Sequence, residues 1–167
     1  MHCAGLAGPT AGGERAVMSE EDGGLPASGR IVAGTHVFPV RVYYEDTDFS
    51  GLVYHARHLQ FLERGRSEFL RCAGLSHSAL LTRDDPLVLA VRRMALDFAR
   101  AARIDDALEV RSRLVGLKGA RFEMEQEIRR EGVRLLGAEV EVACLDGTGR
   151  PRRVPEDLAV MLRPHLA

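Results

Sequence analysis

The chain has few cysteines and almost no net charge, and both absences exclude classes of protein. Its three cysteines, Cys3, Cys72 and Cys144, are odd in number, widely separated and form no C-x-x-C pair. This spacing argues against a disulfide framework and against a zinc knuckle, and it fits a reducing cytoplasm. A formal net charge of -1 gives no overall attraction to phosphate backbones or anionic lipid, so we expect no nucleic-acid partner.

Membrane and export signals are also lacking. The longest apolar runs, such as residues 86–91, are far shorter than the roughly 20 residues that span a bilayer. The first 25 residues mix glycines with acidic residues and contain no apolar core of a signal peptide. We therefore expect no integral membrane segment and a cytoplasmic location.

Several familiar catalytic loops are missing as well. Residues 74–78 read G-L-S-H-S, which is not the G-x-S-x-G of an α/β-hydrolase nucleophile elbow. The sequence contains neither G-x-x-x-x-G-K-[ST] nor G-x-G-x-x-G, so it offers no P-loop and no dinucleotide-binding fingerprint.

Composition divides the chain into an extension and one domain. Residues 1–34 are rich in Gly, Ala, Pro and acidic residues without apolar periodicity, which predicts a disordered N-terminal extension. Residues 35–167 suffice for one globular core and are too few for two, so we expect a single domain.

Hydrophobic periodicity predicts a strand, one long helix and four further strands. Apolar and polar residues alternate from Phe38 to Glu45, the period of two that a half-buried strand requires. Over residues 56–72 the apolar residues fall at helical spacing, with Cys72 on the buried stripe. Alternation returns in four segments, 92–98, 108–114, 122–128 and 136–144, and a short helix is expected at 155–166.

These elements predict a two-layer α+β domain, in which one long helix covers an antiparallel five-stranded sheet. The connection at 116–120 also predicts a hairpin register. If Gly116 faces Ala120, then Arg113 faces Glu123, which pairs opposite charges across the strands.

Residues 42–71 read V-Y-Y-E-D-T-D-F-S-G-L-V-Y-H-A-R-H-L-Q-F-L-E-R-G-R-S-E-F-L-R. The cue Y-Y-E-D-T-D-x-x-G-x-V-Y-H, followed by an L-E-R-x-R helix, closely resembles the YbgC-type acyl-CoA thioesterases. That family is associated with the Tol-Pal system and belongs to the 4-hydroxybenzoyl-CoA thioesterase group of hotdog proteins. The resemblance covers roughly residues 39–158.

The resemblance implies a hotdog fold, with the sheet wrapped around the central helix, and hydrolysis of an acyl-CoA thioester without any cofactor. Acyl carrier protein is a second candidate partner. The resemblance further implies subunits that pair as a homodimer or homotetramer to complete their active sites.

The resemblance also assigns candidate site residues. Asp48 occupies the catalytic aspartate position, and Tyr44 and His55 match other site residues. The backbone N–H groups near Tyr54 and His55 match the place where the family polarises the thioester carbonyl. This family often has a small residue at position 49 and glycine at position 50, where this chain has Phe and Ser.

Thioester chemistry supports these roles independently. Hydrolysis needs a base or nucleophile and donors for the developing oxyanion. A loop carboxylate at Asp48, followed by a helix N-terminus with unpaired N–H groups, supplies both within a few residues. Gly51 has no Cβ, so the backbone there can approach the substrate closely.

Each candidate also has a structural interpretation. Asp46 and Asp48 are typical turn and N-cap residues, and the resemblance changes that preference for Asp48 alone. Tyr44 is expected on the apolar face of the first strand, where it could serve only as core. His55 could be a helix-start residue without a chemical role.

Two rival chemical schemes remain open. His55 and His58, with Asp46 and Asp48 nearby, could ligate a divalent metal, but nothing else completes a coordination shell and we expect no metal. Glu63 is a rival catalytic carboxylate, although its L-E-R-x-R context favours an ion pair with a neighbouring arginine.

Two alternative functions also remain. One is a hotdog hydratase or dehydratase, which would use a His and a carboxylate on carbons of the acyl chain. The other is a non-catalytic acyl-carrier or interaction module that retains the fold.

Overall fold

The computed structural model describes residues 27–167 and places one long helix against the inner face of a single antiparallel sheet. The elements in chain order are β1 (Arg30–Val32), β2 (Thr35–Arg41), a 3-10 turn (Tyr44–Asp46), α1 (His55–Cys72), α2 (His77–Leu81), β3 (Leu87–Phe98), β4 (Ala107–Lys118), β5 (Arg121–Arg130), β6 (Val133–Asp146), α3 (Glu156–Leu162) and a second 3-10 turn (Arg163–His165). The strands lie in the order β1-β2-β4-β5-β6-β3, and every neighbouring pair is antiparallel.

The core lies between α1 and the inner face of the sheet. Phe61, Leu62 and Phe69 of α1 are fully buried there. At Gly65 the helix backbone meets β4 directly, since an added Cβ would lie only 2.5 Å from Cγ1 of Val110. Because Val110 is itself buried and β-branched, it has little freedom to move aside. Glycine at position 65 therefore sets how closely the helix approaches the sheet.

The structure contains the predicted long helix, four later strands and C-terminal helix in the expected order, but the short helix α2 between α1 and β3 was not predicted. The prediction that Cys72 lies in the core is wrong. Cys72 is the last residue of α1 and is exposed, and its thiol donates to the carbonyl of Ser28 at 3.6 Å.

Among residues 27–167, no helix is both long and apolar enough to cross a membrane.

The five-strand count is wrong, because β1 adds a sixth strand within the segment expected to be an extension. Ala33 and Gly34 have φ values of 47° and 75°, and this two-residue turn folds β1 back onto β2. Positive φ at both turn residues suits a tight hairpin. Three residues are too few for alternation to reveal the strand. The remainder of that expectation, residues 1–26, lies outside the described part of the chain.

The first predicted strand is too long at its C-terminal end. The strand stops at Arg41, and the chain turns at residues 44–46 because the side chain of Asp46 accepts the N–H of Tyr43 at 2.8 Å. Tyr44 consequently lies outside the sheet and is 84% exposed, so its expected core position is also wrong.

The predicted β4–β5 register is displaced by two residues. Arg113 pairs with Glu125, and Leu114 pairs with Met124, because the turn lies at residues 119–120 and a bulge follows Leu114. Side chains alternate with a period of two, so a shift of two residues keeps every side chain on its original face. The charge pattern is compatible with both registers and could not distinguish them.

Residues 27–34 should contribute to stability. We expect a chain that begins at Ala27 to match the full-length melting temperature, whereas a chain that begins at Thr35 melts lower. The shorter chain loses β1 and the carbonyl of Ser28, which lies 2.8 Å from Nε2 of the buried His36. An unsatisfied buried polar group costs about 1–3 kcal/mol. Equal melting temperatures for the two shortened chains would contradict this assignment.

Candidate active site

Asp48 lies on a short loop in front of α1. Thr47 and Val53 form an isolated antiparallel bridge that closes the loop. Within it, the N–H of Asp48 donates to Leu52 O, and the N–H of Gly51 donates to Asp48 O, both at 3.0 Å. Gly51 has a φ of 74°, which glycine adopts without the steric penalty of a Cβ. The turn therefore holds the Asp48 carboxylate at the surface, where it is exposed.

The returning half of the loop is tied to two neighbours. The N–H of Val53 donates to Ala102 O, and the N–H of Tyr54 donates to Asp46 O, each at 2.9 Å. The Tyr54 amide is thus already paired within the fold. No side chain among residues 27–167 caps the N-terminus of α1, which begins at His55. The first unpaired amide of the helix is consequently that of His55.

Asp46 holds the loop rather than facing the solvent. Its side chain is buried, with Oδ2 accepting the N–H of Tyr43 at 2.8 Å and Oδ1 lying 3.9 Å from Nε of Arg57. Arg57, on the first turn of α1, also donates through Nη2 to the carbonyl of Glu45 at 2.8 Å. This contact joins the 3-10 turn to the helix start, in agreement with the structural interpretation of Asp46.

One oxygen of Asp48 is held by Ser50. Oδ1 accepts the N–H of Ser50 at 2.8 Å and also accepts its hydroxyl. The hydroxyl, followed by the backbone N–H, lowers the pKa of Asp48, and desolvation opposes this shift. Donors to a carboxylate stabilise its ionised form, so Asp48 is negatively charged at neutral pH.

The other predicted site residues lie at the same junction. The rings of Tyr54 and His55 pack with centroids 4.3 Å apart and planes tilted by 53°. Asp48, Gly51, Tyr54 and His55 therefore share the loop and the start of α1, while Tyr44 lies on the preceding 3-10 turn with its ring exposed.

His58 was considered from sequence only as a metal ligand, and it is instead a buried residue beneath the site. Its ring packs edge-on to Phe98 of β3 with centroids 5.6 Å apart, and its Nδ1 has no partner among the described residues. Burial is the main cause that lowers the pKa of His58. No three His, Cys, Asp or Glu side chains within residues 27–167 are grouped so as to hold a metal ion.

Glu63 forms the ion pair that its sequence context indicated. Its partner is Arg66, whose buried guanidinium also donates to Oε1 of Gln126 at 2.7 Å. The Gln126 amide in turn donates to Leu62 O at 3.0 Å and to Oγ of Ser112 at 2.8 Å. This polar chain crosses from α1 to the middle of the sheet.

A narrow cavity of about 60 Å³ opens beside Glu63 and Arg66, and apolar side chains such as Leu89 and Met124 form much of its lining. It lies between α1 and the sheet, further along the helix than the Asp48 loop. 

Comparison with known proteins defines the class. Residues 42–162 match the family model of the thioesterase-like superfamily. The chain therefore belongs to the thioesterase-like superfamily, and its sheet wrapped around a central helix is the hotdog arrangement expected for it.

Particular relatives place the chain more closely. The acyl-CoA thioesterase YbgC of Haemophilus influenzae is 43% identical over 122 residues, which cover 72% of this chain and 89% of the relative. The acyl-CoA thioester hydrolase YbgC of Escherichia coli is 39% identical over 123 residues, covering 72% and 90%. The crystal structure of a probable thioesterase from Bartonella henselae has a TM-score of 0.71 and 48% identity, covering 72% of this chain and 99% of that one.

These findings confirm the resemblance to YbgC-type thioesterases first read from residues 42–71. They also confirm that the chain is an enzyme of the thioester hydrolase class.

The contact between Arg57 and the 3-10 turn that precedes the Asp48 loop should be important for stability. We expect Arg57→Ala to lower the free energy of unfolding by about 1–3 kcal/mol, because it removes the bond to Glu45 O and leaves buried Asp46 without its neighbouring cation. Urea denaturation would measure the change. Arg64→Ala is the control, since Arg64 is exposed on α1 and has no ion pair among the described residues. Equal stability of the two variants would contradict the assigned role of Arg57.

Proposed function

We propose that this protein hydrolyses acyl-CoA thioesters to free acid and CoA, with Asp48 as general base or nucleophile. The observation that carries the proposal is that an ionised loop carboxylate and an uncapped helix N-terminus occur within one short segment. Relatives named as acyl-CoA thioesterases, 43% and 39% identical, support acyl-CoA as the substrate. Acyl carrier protein thioesters and a cytoplasmic location belong to the same proposal.

The proposed reaction requires one proton acceptor and one oxyanion site. As a base, Asp48 takes a proton from water while the water oxygen adds to the thioester carbonyl carbon. The C–S bond then breaks, and the CoA thiolate recovers the proton from Asp48, leaving the free acid. As a nucleophile, Asp48 attacks the carbonyl itself and expels the thiolate, and water then hydrolyses the resulting anhydride.

The start of α1 is the proposed oxyanion site. Negative charge develops on the carbonyl oxygen, and the unpaired N–H of His55 together with the positive end of the helix dipole stabilises it. The Tyr54 amide donates to Asp46 O, so Tyr54 is proposed to act through its ring rather than its N–H. The exposed side chains of His55 and Tyr44 are proposed to position the substrate, which Gly51 allows to approach the loop closely.

The proposal is tested by a hydrolysis screen over acyl-CoA esters from acetyl- to palmitoyl-CoA, with detection of the free thiol. The same screen includes crotonyl-CoA and analysis of its products. Release of CoA supports hydrolysis, whereas hydration of the double bond with an intact thioester would indicate a hydratase. No turnover of any ester would favour the non-catalytic module.

A second copy of the chain is proposed to cover the edge strand β3. This strand of 12 residues pairs only with β6 within the described chain, and three apolar side chains along it, Val88, Val91 and Phe98, are 36%, 44% and 48% exposed. A long, apolar sheet edge is a surface that proteins normally cover.

We therefore expect a homodimer or a homotetramer in solution. Light scattering at micromolar concentration should give at least twice the chain mass of 18.3 kDa. A monomer with full hydrolytic activity would contradict active sites completed by a second subunit.

Asp48 should be the position at which substitution lowers turnover most. Asp48→Asn keeps the size of the side chain but removes the negative charge that a base or nucleophile needs. General-base catalysis is typically worth about 10² to 10⁴ in rate, so we expect a loss of at least roughly a hundredfold with the fold retained.

The control for Asp48→Asn must be a carboxylate whose side chain makes no contact that holds the loop. Asp46→Asn is unsuitable, because Asp46 is buried and bonded to Tyr43. Asp105→Asn is better matched, since Asp105 is exposed and its positive φ of 66° is one that asparagine tolerates. Near-normal hydrolysis by Asp48→Asn would refute its role, and Glu63→Gln would then be tested.

A further inference from the structure

We propose that Ser50 is a positioning residue for this reaction, which holds Oδ1 of Asp48 and leaves Oδ2 as the oxygen that takes the proton or attacks the carbonyl carbon. This inference rests on the proposed function of Asp48.

The hydroxyl of Ser50 is oriented by both of its neighbours. It donates to Oδ1 of Asp48. Its oxygen also accepts a long hydrogen bond from the N–H of Leu52, with 3.4 Å between the nitrogen and the oxygen. The backbone N–H of Ser50 donates to the same Oδ1 at 2.8 Å. Oδ1 therefore has two donors, whereas no described residue donates to Oδ2. A lone pair that is already hydrogen-bonded is a weaker base, so the reactive oxygen is Oδ2.

Ser50 also favours the ionised form of Asp48. Its hydroxyl is the largest cause that lowers the pKa of this carboxyl, and its N–H is the second. Removal of the hydroxyl would raise that pKa again. Because only the ionised form can act as base or nucleophile, activity would then be lost at a higher pH as the solution is acidified.

Charged groups on the surrounding elements do not take over this role. The neighbours are Glu45 and Asp46 on the preceding turn, His55 and Arg57 at the start of α1, and Arg103, Asp105 and Asp106 on the segment that bridges Leu52. None of these groups forms an ion pair with Asp48 within residues 27–167. Ser50 is thus the main local influence on the Asp48 carboxylate.

A similar hydrogen-bond pattern occurs at Asp146, whose Oδ1 also accepts the N–H of Arg150 at 3.0 Å. In the turn after β6, Oδ1 of Asp146 accepts the N–H of Thr148 at 2.8 Å and its hydroxyl at 2.7 Å. That turn precedes no long helix and has no proposed chemical role. It provides a matched control, because the hydroxyl of Thr148 can be removed from an equivalent bond elsewhere.

The test is the pH dependence of kcat/KM for the parent, Ser50→Ala, Ser50→Thr and Thr148→Val. The substrate is the member of the acetyl- to palmitoyl-CoA series that the parent hydrolyses fastest. For Ser50→Ala we expect the acid limb of the pH profile to move to higher pH. Its kcat/KM should therefore be lower than that of the parent at acid pH and equal to it on the pH-independent plateau. Ser50→Thr keeps a hydroxyl and should retain the parent profile, as should Thr148→Val.

The inference is overturned if Ser50→Ala gives the parent profile, if it loses activity equally at all pH values, or if Ser50→Thr shifts as much as Ser50→Ala. Ser50→Gly also lacks the hydroxyl and replaces Ser50→Ala if that variant does not fold. Asp48→Asn is measured in parallel. Retained hydrolysis by Asp48→Asn refutes the proposed function, whereas its loss together with an unshifted Ser50→Ala profile refutes only the role of Ser50.

Discussion

The close packing of α1 against β4 is the constraint on which the rest of the structure depends. With no side chain at Gly65, the helix backbone comes within van der Waals contact of Val110, and even one methyl group would overlap it. Tight contact in a dense core fixes both the depth and the axial position of a helix. The N-terminus of α1, and the loop that carries Asp48, are therefore set by packing that lies about three helical turns away.

A second contact fixes the rotation of the same helix. The polar chain from Arg66 through Gln126 to Ser112 is buried, and each of its bonds has a defined direction. Rotation of α1 about its axis would break these bonds and leave polar groups unpaired in the core. Apolar packing and a directional polar contact together leave one orientation for the amide of His55.

Much of this structure could be predicted from the sequence, and the failures have identifiable causes. Alternation and helical spacing depend only on burial, so they predicted the order of the longer elements but not β1 or α2. They could not reveal where β2 ends, because that depends on the buried side chain of Asp46. They could not reveal the β4–β5 register either, because a shift of two residues preserves the alternation. In the site, the local motif indicated Asp48 and His55. The roles of Arg57 and of His58, which had been considered only as a metal ligand, could not be predicted, because their contacts with Glu45 and Phe98 join separate elements.

The uncapped start of α1 implies a compromise between thermal stability and activity. Tyr54 occupies the N-cap position without a side-chain hydrogen bond to the helix. A Ser, Thr, Asp or Asn there would typically add about 1 kcal/mol, but its oxygen would accept the N–H of the second or third helical residue and place a lone pair beside the His55 amide that is proposed to meet the oxyanion. Selection for thermal stability alone would therefore favour a capping side chain at position 54. The tyrosine found there leaves the N-terminal amides of the helix without a side-chain acceptor.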